Sequence, residues 1–165
     1  MPNSKDIEIK FWKALEHDKI MMLGLVGVDE THTRPMTAQI QDSTGPIWFF
    51  GSHDSDLVRN MKRTSAAVAT FVSGNQNLYA TIHGLISMER DHEKIDQLWN
   101  PQIAAWYAQG KDDPGLALLR FVPNRAQVWL DGSSLLAGIK MMLGGDPKVT
   151  YQDNVATLNF REKQE

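Results

Sequence analysis

Hydrophobic and polar positions along this chain repeat with two different periods, and the changes of period outline its elements. Ile7, Phe11 and Leu15 recur every four residues with charges between them, which predicts an amphipathic helix over residues 4–16. Residues 20–28 form an apolar run containing Gly24 and Gly27, consistent with a buried strand, and residues 29–32 supply a turn. From 33 to 41 the period becomes two. Met36, Ala38 and Ile40 face one way, and Thr37, Gln39 and Gln41 the other, as in a half-buried strand. Asp42-Ser43-Thr44-Gly45 reads as a hairpin turn into a strand at 47–50. These three strands are expected to form an antiparallel meander.

Residues 54–63 read as a short helix with Val58 and Met61 inward, and with Lys62 and Arg63 in its last turn, where cations complement the helix dipole. Residues 66–72 are strand-like. Residues 78–88 alternate cleanly, interrupted by Gly84, which marks a bulge. Asp91 caps a helix to residue 99, Pro101 ends it, and a second helix is expected over 102–109, stopped by Gly110. Strands are expected at 116–121 and 126–130, separated by Pro123-Asn124. Ser133 is placed to cap an apolar helix over 135–143, and one last strand is expected within 149–160. Repeats and linkers are absent, so residues 1–165 read as one domain with 145–165 peripheral. Short connections between strands favour a mainly β fold, a small antiparallel barrel with helices filling its gaps.

Composition narrows the chemistry. With no cysteine, disulfides and thiolate metal sites are excluded. A net charge of -3, with Lys and Arg dispersed, marks neither a nucleic-acid groove nor a membrane-binding face. The opening MPNSKDIEIK is too charged for a signal peptide and no apolar run has membrane length, so a cytoplasmic location is expected. Eight methionines and five tryptophans suit flexible core filling or a broad, flat, apolar ligand surface.

One stretch combines these features. In GPIWFFGSHDSDLVRNM, residues 45–61, a strand runs into small polar residues where a helix begins. Ser52, Asp54 and Ser55 are good N-caps. Free amides at a helix start also attract phosphate. Counting back from the hairpin turn places Arg34 across from residues 52–54, where its guanidinium supplies the cation such a site needs. The five histidines (17, 32, 53, 83 and 92) have no ligand spacing, no serine sits in a nucleophile elbow, and neither a dinucleotide-binding glycine motif nor a P-loop occurs. Trp48, Phe49, Phe50, Trp99, Trp106, Tyr107 and Trp129 suit packing, or the flanking of a planar ring by one or two of them.

His32-Thr33-Arg34-Pro35-Met36-Thr37, then Ile47-Trp48-Phe49-Phe50 with Ser52-x-x-Ser55, occur in one order with Leu98-Trp99-Asn100, Ala105-Trp106-Tyr107, Gly110-Lys111-Asp112-Asp113-Pro114 and Arg125-Ala126-Gln127-Val128-Trp129. Over residues 8–143 the chain resembles the FMN-binding split barrels of the pyridoxamine 5'-phosphate oxidase-like superfamily, and within it the bacterial general stress proteins. The resemblance implies a six-stranded antiparallel split barrel and a homodimer with two FMN sites built from both subunits. It places Arg34 on the FMN phosphate, and Pro35, Met36, Thr37 and Gln39 beside the ring system, with Met36 and Thr37 offering backbone groups. Phe50, Gly51, Ser52 and Ser55 would line the ribityl chain and phosphate, Trp129 would reach the flavin from the partner subunit, and Trp106 would help close the site.

Two departures stand out. Gly51 replaces a common Thr and Leu57 a common Lys, a loss of a charge-assisted bond worth on the order of 1.5–3 kcal/mol, with Arg59, Arg63 or Lys140 as substitutes. The basic C-terminal stretch that recognises pyridoxamine phosphate is replaced by apolar residues 136–143, so that oxidase activity is not expected. The expected function is that of an FMN-dependent oxidoreductase acting on a small molecule. The alternatives are a flavin-binding stress sensor without turnover, or a barrel holding another planar ligand such as haem or a deazaflavin.

Overall fold

The structure is a computed structural model and describes residues 3–28, 32–131, 142–144 and 154–160. Helix α1 (Ser4–Asp18) opens with a capping box, in which Asn3 and Asp6 exchange side-chain-to-backbone hydrogen bonds. Its predicted stripe is the buried one: Ile7, Phe11 and Leu15, with Trp12 beside them, are at most 2% exposed and form the centre of the core.

Strands β1 (Ile20–Leu25), β2 (Arg34–Thr37), β3 (Ile47–Ser52), β4 (Thr64–Val72), β5 (Leu78–Glu89), β6 (Leu116–Leu130) and β7 (Val155–Asn159) form one antiparallel sheet. Its order is β2-β1-β4-β5-β6-β3, with β7 also paired to β6. The class is mainly β as expected, with seven described strands rather than six. The sheet is not closed. Its end strands β2 and β3 meet only at the Gln39–Trp48 bridge, and a split runs between them.

Several local expectations are revised. The three-strand meander does not form. β1 and β2 pair, but β3 leaves β2 for β6, six registered pairs from Ile47↔Phe121 to Ser52↔Leu116. The two strands expected at 116–121 and 126–130 are one strand, β6. Pro123, which has no N–H, sits at a bulge opposite Gly84, where the ladder tolerates it. One edge of β6 therefore carries β3 and then β7, while the other carries β5 throughout.

The helix expected over 54–63 is one turn, α2 (Asp56–Arg59). Helix α3 (His92–Leu98) is capped by Asp91 as expected. That over 102–109 shortens to α4 (Pro101–Ala104), capped by Asn100, followed by a 3-10 turn at Gly110–Asp112. These short helices cover the outer side of β3 and β6, where Trp48, Ile95, Leu98, Leu116 and Leu118 form a second apolar cluster. The last strand lies within the expected 149–160. The helix expected over 135–143, with its cap Ser133, lies outside the described residues apart from Met142 and Leu143. No described helix is long and apolar enough to cross a membrane.

Candidate functional site

The site is built from the split. Backbone groups in an antiparallel strand point alternately to its two sides. Gln39 and Trp48 exchange backbone bonds of 2.7 and 2.9 Å across the split, whereas His53 N donates to Gly115 on the β6 side at 3.0 Å. Trp48, Phe50 and Ser52 thus direct their amides toward β2, and Gly51 directs its own toward β6. On β2, Ala38 N donates to Lys19 at 2.7 Å, so Arg34 and Met36 use their backbones in the ladder with β1. Pro35 and Thr37 face the split. The split is therefore lined by the Thr37 N–H and C=O, the Pro35 C=O, the Phe50 N–H and C=O, and the Ser52 N–H. Met36, expected to offer backbone groups there, presents its side chain instead. Its Cε lies 3.9 Å from the point a Cβ on Gly51 would occupy.

Arg34 stands at the open end of this slot. Extending the Gln39–Trp48 register brings it opposite His53, as counting from the turn had placed it. Its Nε is buried and has no hydrogen-bond partner among the described residues. A buried donor without a partner costs about 1–3 kcal/mol, and more when charged, so this end of the split is shaped for an acceptor from outside the chain.

The neighbouring turn keeps its capping role. Ser55 accepts from Val58 N at 3.3 Å and donates its own hydrogen to the Ser52 carbonyl at 2.7 Å. The Ser52 hydroxyl accepts from Asp54 N at 3.2 Å, leaving its hydrogen to serve a ligand. Leu57 is 2% exposed and packed in the main core, so at this position the chain uses an anchor for α2 rather than a charge. Of the substitute cations, Arg59 pairs with Asp54 at 3.8 Å on the surface, Arg63 is exposed, and Lys140 lies outside the described residues. Gly51 has room for a Cβ, its nearest neighbour being Leu119 at 3.5 Å, so no steric demand explains the glycine.

An aromatic layer backs the slot. Phe50 points outward and packs edge-on against Trp99, with ring centroids 6.1 Å apart, and against Tyr107 at 6.5 Å. Its backbone, not its ring, faces the split. Tyr107 donates its hydroxyl to the Gly51 carbonyl at 2.7 Å, a contact across 56 residues that the motif Ala105-Trp106-Tyr107 contained but did not single out. Burial, and secondarily the Asp113 carboxylate, push the Tyr107 hydroxyl up from 10.0 to about 12. The raised value means folding favours the protonated phenol. Its stabilising contribution is complete below pH 10 and lost as pH rises through about 12. In a 295 nm absorbance titration of the native protein, Tyr107→Phe is expected to remove a tyrosinate step near pH 12.

Trp129 lies away from this chain's slot, and Trp106 is open to solvent. Trp106 is 84% exposed on the turn after α4. Trp129 lies thirteen residues along β6 from Leu116, the partner of Ser52, or about 40 Å of strand path at 3.3 Å per residue. It belongs to a row on the outer sheet face, Val72↔Tyr79↔Trp129, of which Val72 and Tyr79 are 49% and 40% exposed. Among the described residues no cluster of His, Asp and Glu is placed to hold a metal ion.

Residues 6–151 match the family model described as pyridoxamine 5'-phosphate oxidase like. Among solved structures, a candidate general stress family protein from Xanthomonas campestris pv. campestris is 50% identical with a TM-score of 0.77, over 85% of this chain and 97% of that one. The general stress FMN/FAD binding protein of Xanthomonas citri is 49% identical with a TM-score of 0.76, over 83% and 97%. A protein related to general stress protein 26 from Clostridium acetobutylicum shares the fold at 21% identity and a TM-score of 0.68, over 78% and 91%. No curated protein matches the chain.

Proposed function

We propose that this chain, which belongs to the pyridoxamine 5'-phosphate oxidase-like family and its general stress proteins, binds FMN in the split between β2 and β3 and works as a flavin-dependent oxidoreductase. The observation that carries this is the Arg34 Nε, buried and unpartnered among the described residues, at the end of a slot of strand amides that face the split. The described residues fit the cofactor by chemistry. Arg34 and the Ser52 N–H and hydroxyl suit its dianionic phosphate. Thr37, Pro35 and Phe50 offer backbone donors and acceptors to the polar edge of a planar ring system, with Gln39 at the far end of the slot. A bound flavin supplies the electron transfer; the chain binds it and orients it. A reduced nicotinamide is the proposed donor.

The likeness to an FMN/FAD binding protein at 49% identity supports a flavin. The anion end, with one arginine whose Nε is buried, favours the mononucleotide. The outer face supports a homodimer. Ile20, Met22, Val26, Val72, Tyr79 and Leu85 are all more than a third exposed, more apolar surface than a sheet leaves to water without a partner. A second copy docked on that face covers the row containing Trp129 and lets this indole reach the partner's slot.

The test is an absorption spectrum of freshly purified protein, followed by chromatography of the released cofactor and anaerobic addition of reduced nicotinamide. Yellow protein that releases FMN and bleaches with the nicotinamide is expected. Colourless protein that refuses added FMN overturns the proposal, and yellow protein that the nicotinamide leaves oxidised removes the donor assignment.

A further inference from the structure

We propose that Tyr107 is a positioning residue for the anionic end of the site: by holding the Gly51 carbonyl, it keeps the Ser52 N–H aimed across the split toward Arg34. This role rests on the flavin reading above. The Tyr107 Oη–Gly51 O distance is 2.7 Å. Gly51 and Ser52 share one rigid peptide plane, and in a trans peptide the N–H points opposite to the carbonyl. Gly51 pairs with Ala117, so its carbonyl faces β6 and the Ser52 N–H faces β2. Holding one end of this plane fixes the other.

The hold adds to the ladder with β6, whose pairing with Gly51 already engages this carbonyl and whose last bond runs from His53 N to Gly115 O at 3.0 Å. β3 ends at Ser52, the next two residues are an exposed turn, and on the split side this end of the strand has no neighbouring strand to lock its amides. Strand ends of this kind open locally at little cost. Tyr107 is itself immobilised. Its ring contacts Phe50 and Trp99, and the loop after it is closed by Asp113, which accepts from Gly115 N at 2.8 Å and Gln109 N at 3.1 Å. The raised hydroxyl keeps its proton throughout the neutral range, so the donor is always present. The device thus couples the turn carrying Trp106 and Tyr107 to the anion end of a slot formed 56 residues earlier.

The test is Tyr107→Phe, which retains the ring contacts and removes only the hydroxyl. Dissociation constants are measured for FMN and for riboflavin, which lacks the phosphate, alongside the melting temperature of the apo protein. FMN is expected to bind about three- to tenfold more weakly, the loss that one neutral hydrogen bond can cause. Riboflavin affinity should stay where it was, and apo melting should fall by no more than the few degrees that one hydrogen bond contributes. The preference for FMN over riboflavin therefore contracts by the same factor. An unchanged preference, or equal weakening of both ligands, overturns the positioning role while leaving the flavin reading intact. Failure of the parent protein to bind either ligand overturns both.

Discussion

Replacing Gly84 with alanine is expected to destabilise the protein by about 3 kcal/mol, at the upper end of the range for overpacked cores. A Cβ at this position would lie 2.2 Å from the Val122 carbonyl oxygen, 2.9 Å from its carbon and 3.0 Å from the ring of Phe121. Two of these are backbone atoms of a paired strand, and Phe121 is fully buried, so nothing flexible can yield. The bulge here is where β6 passes from β3 to β7 along one edge, so opening it disturbs both pairings. For a chain of this size the loss corresponds to a fall in melting temperature of roughly 6–12 °C. Gly51→Ala is the control, because its Cβ meets nothing closer than 3.5 Å. Calorimetry of the two variants separates a steric requirement from a general intolerance of side chains in the sheet. Equal melting temperatures for Gly84→Ala and the parent would show that β5 and β6 can part there without cost.

What could be read from residues alone was local. The four-residue recurrence of Ile7, Phe11 and Leu15 identified the buried face of α1, because a helix repeats its contacts at that spacing. Asp91 and Ser55 cap the helices they precede. Arg34 lies opposite the Ser52 turn because the Gln39–Trp48 bridge preserves the register that a hairpin count assumes, even though the hairpin itself does not form.

Distant pairings were not legible. Nothing near Ile47–Ser52 states that its partner is β6, some seventy residues onward, since any half-buried apolar strand satisfies the same pattern. Pro123 signalled a break because proline removes a ladder donor, yet at a bulge no donor is required. Leu57 looked like a missing phosphate ligand, whereas its burial shows the one-turn helix α2 using that residue to hold itself to the core. Tyr107 stood in plain view beside Trp106. Its partner is a backbone carbonyl, which leaves no trace in a side-chain pattern.

Arg34→Ala is expected to weaken FMN binding by about one to two decades, since a hydrogen bond to a charged group contributes about 1.5–3 kcal/mol and each 1.4 kcal/mol is tenfold. His53→Ala, an exposed change on the facing turn, should alter it far less. The direction of the stability change distinguishes a ligand-directed arginine from a structural one. In the apo protein the buried Nε has no partner among the described residues, so its removal relieves a desolvation penalty, and apo Arg34→Ala should melt no lower than the parent. A residue that lowers affinity without supporting the fold is held in place for its ligand, at a cost to stability that binding repays. Arg34→Lys should recover only part of the loss, because an ammonium lacks the planar fork that matches phosphate oxygens. Fluorescence titrations with FMN, paired with melting curves of the apo variants, read all of these effects. Parent-like FMN affinity in Arg34→Ala would remove Arg34 from the phosphate end and with it the reason for placing a flavin in the split.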